Sequence, residues 1–358
     1  MAANTMQTFG LSAGRINKFK GEILKHAIPQ ETLSRTGRQV RFPKNNSDTY
    51  VARRWIPYGA SSSSPNIFFA NGTGDRGNTV VQAHLVQEGV TPAPDSIVPM
   101  DVTVVMNQYA CTYGFTDKTA DLYEDDIPAA MKEQVGDRVV LVNELVIQGA
   151  LKAGTNQFYG GTGTTRATVN GAVTLTLLRS IAKSLLANHG KMTNMMLDAS
   201  PDFDTSAVGE GCFVYCHTDL EGNIRDLPNF TPVEKYASGK PQPNEIGKCE
   251  RFRFITSPDM PSFQDGGAAL TGWTGGGTGY STTGTSADVY TMIVLAQDAF
   301  SQVAVRGLDS IDPTYLPPGQ KSKADIHGQR GYAGAKWWKA VMIENNGWMA
   351  IANVGQEV

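Results

Sequence analysis

The stretch that decides the fold begins with DVTVVMNQYACTYGFTDKT at residues 101–119 and, after an acidic turn, continues as IPAAMKEQVGDRVVLVNELVIQGALKAG at residues 127–154. Its second half has apolar residues every three to four positions, which predicts one face of a long helix. That face comprises Ile127, Met131, Val135, Val139, Val142, Leu145 or Val146, Gly149 and Ala153. Asp125, Asp126 and Pro128 favour a helix start, and Gly154 favours a stop. The predicted helix is roughly 40 Å long, which indicates a scaffold along which other elements lie.

Charge divides the 358-residue chain into a basic N-terminal arm and an acidic remainder. Residues 1–57 hold ten basic and three acidic residues, a formal charge of +7, so the overall charge of −3 leaves −10 on the rest. A chain of this length can bury enough apolar surface to fold without disulfides. A basic arm on an acidic body can bind nucleic acid or dock on the acidic surface of another copy, and charge alone leaves both open.

The cysteines and the termini bear on the compartment. Cys111, Cys212, Cys216 and Cys249 are scattered without a paired CxxC spacing, which favours free thiols in a reducing compartment and no zinc site. Residues 1–10 lack the pattern of a secretory signal, and no apolar run approaches the ~20 residues that span a bilayer. We therefore expect a soluble protein that is not exported through a cleaved signal.

The N-terminal third contains two strand-like segments separated by a long excursion. Residues 11–27 predict a short amphipathic helix that needs a docking surface, and residues 38–58 are strand-like with interleaved basic residues. Residues 59–99 are rich in Ser, Gly and Pro, so they predict a long loop that packs outside its own subunit. If residues 38–58 pair with residues 101–117, the two form an extended arm, and a phase slip at Asn107 and Gln108 predicts a bend in it.

The rest of the chain mixes strands and helices without regular alternation, which indicates an α+β fold. The predicted elements are a turn region at 160–171, a helix from Thr174 to His189, a strand at 212–216, a helix opened by a capping box of Thr218 and Glu221, a strand at 251–256, a Gly-rich loop at 266–284, a strand at 288–295 and a closing β-rich segment at 336–354.

Motifs for catalysis or cofactor binding are missing from the sequence. GGTGTTR at residues 160–166 lacks the third glycine of a dinucleotide fingerprint, and neither a GxxxxGK[ST] loop nor a GxSxG elbow occurs. The five histidines are far apart. The acidic cluster of residues 121–126 could bind a divalent cation, but helix capping explains it more simply. Trp337, Trp338 and Trp348 favour a core or a subunit interface over a ligand platform. We expect no catalytic residue, no cofactor and no metal site.

Five segments resemble one known family, the major capsid proteins of tailed bacteriophages, and within it the group related to the N4 podovirus capsid protein, which has the HK97 fold. The resemblance is carried by LVQEGVTPAP (85–94), QYACTYGFTDKTADLY (108–123), NEIGKCERFRFITS (244–257), DVYTMIVLAQDAF (288–300) and GQRGYAGAKWWKAVMI (328–343). The segments follow the order of the family. Asn244 stands where the family usually has glycine, and the loops at 59–84 and 266–284 are less similar.

The resemblance implies an HK97-like arrangement of parts. These parts are an N-terminal arm at 1–37, an E-loop hairpin at 38–117, a P-domain with the long spine helix at 118–172, an A-domain at 173–323 and closing P-domain strands at 324–358. It also implies a non-enzymatic major capsid protein that assembles in the cytoplasm of the bacterial host into an icosahedral shell around double-stranded DNA. Its partners would be its own copies in hexamers and pentamers, a portal protein, possible separate scaffolding and decoration proteins, and packaged DNA contacted without base specificity, but no membrane.

Inter-subunit contacts are expected mainly from the arm and the loops. The candidate residues are Arg38, Arg41, Arg53, Arg54, Trp55, Glu88, Trp273 and Tyr280. We expect charge reversal at Arg53 and Arg54 to impair assembly more than subunit folding, and residues 59–99 to be mobile in the free subunit and ordered in the shell. Two other functions stay open: an enzyme whose site is assembled through space, and a β-rich virion surface or adhesin-like binding protein, which the long helix disfavours.

Overall fold

A computed structural model describes thirteen stretches of the chain. They are residues 28–43, 45, 47–57, 84–91, 94, 96–123, 126–193, 210–236, 241–270, 281–305, 311–321, 323 and 325–357. The predicted helix at 11–27, much of the excursion at 59–99, Asp125, and the candidate contact residues Trp273 and Tyr280 lie outside these stretches.

The described residues form fourteen strands and four α-helices. The strands are β1 (Arg38–Phe42), β2 (Thr49–Trp55), β3 (Pro99–Val105), β4 (Asn107–Thr116), β5 (Gln157–Tyr159), β6 (Cys212–His217), β7 (Thr231–Pro232), β8 (Glu245–Cys249), β9 (Phe252–Ser257), β10 (Val289–Leu295), β11 (Phe300–Val305), β12 (Asp312–Leu316), β13 (Arg330–Ile343) and β14 (Met349–Gly355). The helices are α1 (Asp117–Leu122), α2 (Ile127–Leu151), α3 (Leu175–Ala187) and α4 (Glu221–Arg225). Five short 3₁₀ turns complete the described structure, at Leu33–Arg35, Arg166–Thr168, Thr218–Leu220, Val233–Lys235 and Asn346–Trp348.

These elements divide into two compact units. The first comprises residues 1–48, 105–149 and 302–341, and the second comprises residues 49–104, 150–301 and 342–358. The chain thus crosses between the units several times, because distant segments supply adjacent strands.

The first unit is built on a five-stranded sheet with the order β1-β11-β13-β12, and β4 also pairs with β13. Strand β4 is antiparallel to β13 over ten residue pairs, from Asn107↔Lys339 to Thr116↔Arg330. Helix α2 packs on this sheet through Val135 and Val139, which share a buried cluster with Cys111, Ala335 and Trp337. The alternating pattern of β4 and the apolar stripe of α2 therefore meet in one core.

The predicted long helix is confirmed as α2, with about 25 × 1.5 Å or roughly 38 Å of length. Asp126 caps it, since Asp126 Oδ1 accepts a hydrogen bond from the Ala129 N–H at 3.1 Å. The predicted buried face is wrong in the second half of the helix, where Gly149 is exposed and Glu144, Ile147, Gln148 and Leu151 are buried. The sequence pattern placed polar residues on the solvent-facing side of the helix. Glu144 is buried instead, because its carboxylate accepts hydrogen bonds from the backbone of residues 32–34.

The predicted arm of residues 38–58 and 101–117 is only partly correct. Strand β2 pairs with β3 as a separate two-stranded ribbon, but β1 pairs with β11 and β4 pairs with β13. The predicted bend lies at Met106, which interrupts the strand and donates its N–H to the Asp48 carbonyl at 2.8 Å. Because the bend ends the ribbon, the residues after Met106 join the sheet of the first unit instead.

The second unit contains a seven-stranded mixed sheet with the order β5-β14-β10-β6-β9-β8-β7. Its central strands β6, β9 and β10 are buried on both faces, apart from a half-buried His217 at the end of β6. Strands β6 and β10 are mostly apolar, whereas β9 alternates apolar residues with the buried Arg253 and ends in polar residues. Helix α3 covers the sheet with Leu178, Ile181 and Leu185, which are fully buried. The helix predicted from Thr174 to His189 is confirmed as α3, and Thr174 caps it, with its hydroxyl accepting from the Leu177 N–H at 3.2 Å.

The capping box predicted at Thr218 and Glu221 is wrong. A 3₁₀ turn at Thr218–Leu220 precedes α4, and His217 caps that turn because its Nδ1 accepts from the Asp219 N–H at 3.0 Å. A capping box would use the Glu221 N–H as donor to the Thr218 hydroxyl, whereas this N–H donates to the Thr218 carbonyl and closes the 3₁₀ turn.

Candidate functional site

The β2–β3 ribbon carries large apolar side chains that have little to pack on within the described chain. Val51, Trp55, Val98 and Val105 are each at least half exposed, and Trp55 is 56% exposed. Isolated two-stranded ribbons are marginal in water, and exposed apolar surface of this kind is typical of interaction sites. The ribbon is therefore the candidate contact surface with the most direct structural support.

Arg53 and Asp101 form a cross-strand ion pair on the ribbon. Arg53 Nε and Nη2 donate to the two carboxylate oxygens of Asp101 at 2.8 and 3.1 Å. The hydrogen bond from Arg53 lowers the pKa of the Asp101 carboxyl and correspondingly raises the pKa of the guanidinium. Both side chains are exposed, so this pair joins the two strands while contributing little stability.

Arg54 points to the opposite face and is half-buried. Its Nη1 donates to the Glu344 carbonyl at 3.1 Å, its Nη2 lies 3.6 Å from Met100 Sδ, and its Nε is buried without a hydrogen-bond partner. Burial lowers the pKa of this guanidinium, and the charge of Glu344 opposes the shift. Arg54 thus supports its own subunit, whereas Trp55 has the exposure expected of a contact residue.

The remaining predicted contact residues that the structure describes are exposed. Arg38 and Arg41 lie on β1 in the first unit, and Glu88 lies in the turn at 84–91. Their roles in assembly stay predictions.

A second site anchors the N-terminal turn and was not found from the sequence. The carboxylate of Glu144, 4% exposed on α2, accepts the backbone N–H groups of Thr32, Leu33 and Ser34 at 3.2, 3.0 and 2.9 Å. It also accepts the hydroxyls of Thr32 and Ser34. Gln302 Nε2 completes the anchor by donating to the carbonyls of Ser34 and Thr36 at 3.0 and 2.5 Å.

Lys339 lies in the same region of the first unit and is 8% exposed. Burial lowers the pKa of its ammonium to about 8, although the carboxylates of Glu144 and Glu31 favour the charged form. No periodicity in the sequence distinguishes Glu144 or Lys339 from solvent-facing charges. Three-dimensional contacts alone reveal that buried polar groups hold the start of the described chain.

Comparison with known proteins gives the family. Residues 101–307 match the family model described as phage capsid protein, which is more than half of the chain. The chain belongs to the phage capsid protein family. This phage capsid protein is also 26% identical over 177 residues to the major capsid protein of Pseudomonas phage KPP21, an alignment covering 46% of the chain and 44% of that relative. The chain thus matches less than half the length of the curated relative.

Solved phage capsids share the fold of this family member over nearly its whole length. The capsid of Ralstonia phage GP4 has a TM-score of 0.58 at 9% identity, covering 99% of this chain and 98% of that one. The capsid of cyanophage Pam1 has a TM-score of 0.57 at 13% identity, covering 98% and 100%. These similarities confirm the predicted HK97-like α+β fold. The finer prediction of an N4-related group stays a prediction.

Three further features of the described residues concern metal binding, cysteine reactivity and membrane insertion. Those residues contain no cluster of three or more His, Cys, Asp or Glu side chains able to hold a metal ion. The four cysteines are free and buried, and burial raises the pKa of Cys212 to about 11, so its reactive thiolate is disfavoured. Among the described helices, none combines the length and apolar character needed to cross a bilayer.

Proposed function

We propose that this protein is the major capsid protein of a tailed bacteriophage and assembles into the icosahedral shell that encloses packaged double-stranded DNA. Family membership and the named relative support this function. The observation that carries it is the β2–β3 ribbon, whose apolar side chains are left exposed by the isolated subunit. Each large apolar side chain contributes roughly 1.5–3 kcal/mol when fully buried, so a neighbouring copy that covers the ribbon stabilises both subunits.

The domain assignment follows the same proposal. Residues 1–37 act as the N-terminal arm, 38–117 as the E-loop, 118–172 and 324–358 as the P-domain, and 173–323 as the A-domain. Copies of the chain form hexamers and pentamers, joined at one vertex by a portal protein. Separate scaffolding and decoration proteins are further candidate partners, and DNA is contacted through its phosphates. Assembly takes place in the host cytoplasm, and the function requires no catalytic step.

Expression of the full chain, followed by sedimentation and electron microscopy, tests this function. We expect closed megadalton particles. Trp55→Ala should lower the particle yield at least tenfold while leaving the secondary structure and solubility of the subunit unchanged, because Trp55 is exposed in the monomer. Leu186→Ala is the matched control, since Leu186 is also a large exposed apolar residue but lies on α3.

A stable monomer that forms no particles would contradict the proposal and would favour a β-rich surface-binding or adhesin-like protein. Normal assembly of Trp55→Ala would remove the ribbon from the interface without removing the capsid function. The two outcomes are separable, because one concerns the wild-type chain and the other only the variant.

A further inference from the structure

A pair of cationic side chains lies in the second unit, and neither belongs to the ribbon. Lys152, just after the end of α2, places its Nζ 4.8 Å from the centroid of the Phe263 ring. Arg166 places its Cζ 4.1 Å from the same centroid. Two full positive charges thus lie within about 9 Å of one another, over one aromatic ring.

Hydrogen bonds position the two residues. Arg166 is the only charged residue of the loop at 160–171, and the reciprocal hydrogen bonds of Thr165 and Thr168 fix the 3₁₀ turn that carries it. The loop is closed so tightly that a Cβ on Gly163 would lie 2.3 Å from the Thr168 carbonyl oxygen. Lys152 is fixed independently, because its ammonium donates to the Pro261 carbonyl at 3.0 Å.

Neither cation forms an ion pair with a carboxylate among the described residues, although both make cation–π contacts with Phe263. The charge of Arg166 adds to the effect of burial in lowering the pKa of Lys152, which reflects mutual repulsion. A preorganised pair of like charges is relieved by an anion that bridges both, and a carboxylate or phosphate has the geometry to accept from a guanidinium and an ammonium together.

We propose that Lys152 and Arg166 form a docking site for an aspartate or glutamate side chain of a neighbouring copy in the shell. This inference rests on the proposed capsid function, since it requires copies to associate. Charge favours this occupant, because residues 58–358 carry a formal charge of −10, so every copy has an excess of acidic side chains. Packaged DNA offers the same anionic chemistry through phosphate and is the competing occupant.

Charge reversal in the full chain tests whether the pair contributes to assembly. We expect Arg166→Glu to lower the particle yield about tenfold or more, since each 1.4 kcal/mol lost at a contact is a factor of ten. The thermal midpoint of the free subunit should stay unchanged, because Arg166 is exposed. Lys183→Glu is the matched control, as it reverses one exposed charge on α3 and should assemble normally.

A photo-crosslinking amino acid at the exposed position 167, beside an intact Arg166, identifies the occupant by mass spectrometry of assembled particles. An adduct to an acidic segment of another copy supports the proposal. Adducts to DNA alone, or normal assembly of Arg166→Glu, would overturn it. If the wild-type chain forms no particles, both the proposed capsid function and this inference are contradicted. If wild-type particles form and Arg166→Glu assembles equally well, only this inference is contradicted.

Discussion

At the scale of single residues, Glu144 anchors the N-terminal turn at residues 32–34 to helix α2. One buried carboxylate accepts three backbone N–H groups from a turn more than a hundred residues away. These donors belong to the start of a 3₁₀ turn and have no partner within it. Glu144 therefore acts as a cap supplied by another element, and it fixes the turn at Leu33–Arg35 on α2.

Removal of this cap should be strongly destabilising. We expect Glu144→Ala to lower the free energy of unfolding by about 3–5 kcal/mol, because three backbone N–H groups lose their buried acceptor and the buried Lys339 loses a favourable negative charge. Chemical denaturation followed by circular dichroism measures the loss. Glu133→Ala, at an exposed position of the same helix, should change stability by less than about 0.5 kcal/mol. Equal effects of the two substitutions would refute the anchoring role.

Lys339 gives a prediction about pH. Its folded pKa of about 8 lies below the ordinary value of 10.5, so the unfolded chain binds this proton more tightly than the folded chain does. The free-energy cost of burying the charged Lys339 ammonium is therefore fully present below about pH 8, and it is relieved as the pH rises from about 8 to 10.5. This residue should raise stability by on the order of 1 kcal/mol per pH unit across that window.

Lys339→Met isolates this contribution, because methionine keeps an unbranched apolar stem without the charge. The variant should be at least as stable as the wild type at pH 7, and the difference between the two should shrink steadily from pH 8 to 10.5. Comparing the two proteins cancels the titration of cysteines and tyrosines over the same range. A difference that does not vary with pH would show that the ammonium is not buried in the folded subunit.

At the scale of elements, helix α2 and strand β13 differ in the space available beside a glycine. Gly136 lies in α2 with no heavy atom within 4 Å of the position a Cβ would occupy. Gly334 lies in β13, where an added Cβ would come within 2.5 Å of the Cys111 carbonyl oxygen of β4. Glycine therefore lowers the stability of the helix at position 136, whereas close packing of the strands requires glycine at position 334.

Paired alanine substitutions should show this contrast. We expect Gly136→Ala to stabilise the subunit by about 0.5–1 kcal/mol, because alanine restricts the unfolded chain and favours the helix. Gly334→Ala should destabilise it by about 2 kcal/mol or more through overpacking against the β4 backbone. Equilibrium denaturation of both variants under the same conditions measures the two changes. Stabilisation by both, or destabilisation by both, would contradict the assigned environments.

At the scale of the whole molecule, much of the stabilising surface is expected to lie between subunits. The ribbon exposes Trp55 and several valines, and the cation pair at Lys152 and Arg166 has no carboxylate partner among the described residues. Association stabilises the state that binds, so assembled subunits should resist heat better than free ones.

We expect intact particles to melt about 10 °C or more above subunits dissociated from them, at the same pH, salt and scan rate. Differential scanning calorimetry gives both midpoints. Particles of Arg166→Glu, where enough form, should melt between the two, while Lys183→Glu particles should match the wild type. Identical midpoints for particles and subunits would show that the lattice contributes little to stability.

Local sequence determined the elements whose burial follows simple periodicity. Helices α2 and α3 and the strands β6, β9 and β10 were all predictable, because their apolar side chains repeat every 3.6 or two residues or form short apolar runs. The family motifs, which occur in the family's order along the chain, likewise predicted the HK97-like fold. Each of these features depends on neighbours in the chain, which the sequence displays directly.

Tertiary structure alone decided the pairing of β4 with β13, the burial of Glu144 and Lys339, and the meeting of Lys152 with Arg166. Sequence periodicity treats a charged residue as solvent-facing, since an isolated buried charge is costly. That cost is offset only by donors or partners from distant segments, and their proximity is set by the global fold. Local pattern therefore specified the elements of this capsid protein, and long-range contacts specified its sites.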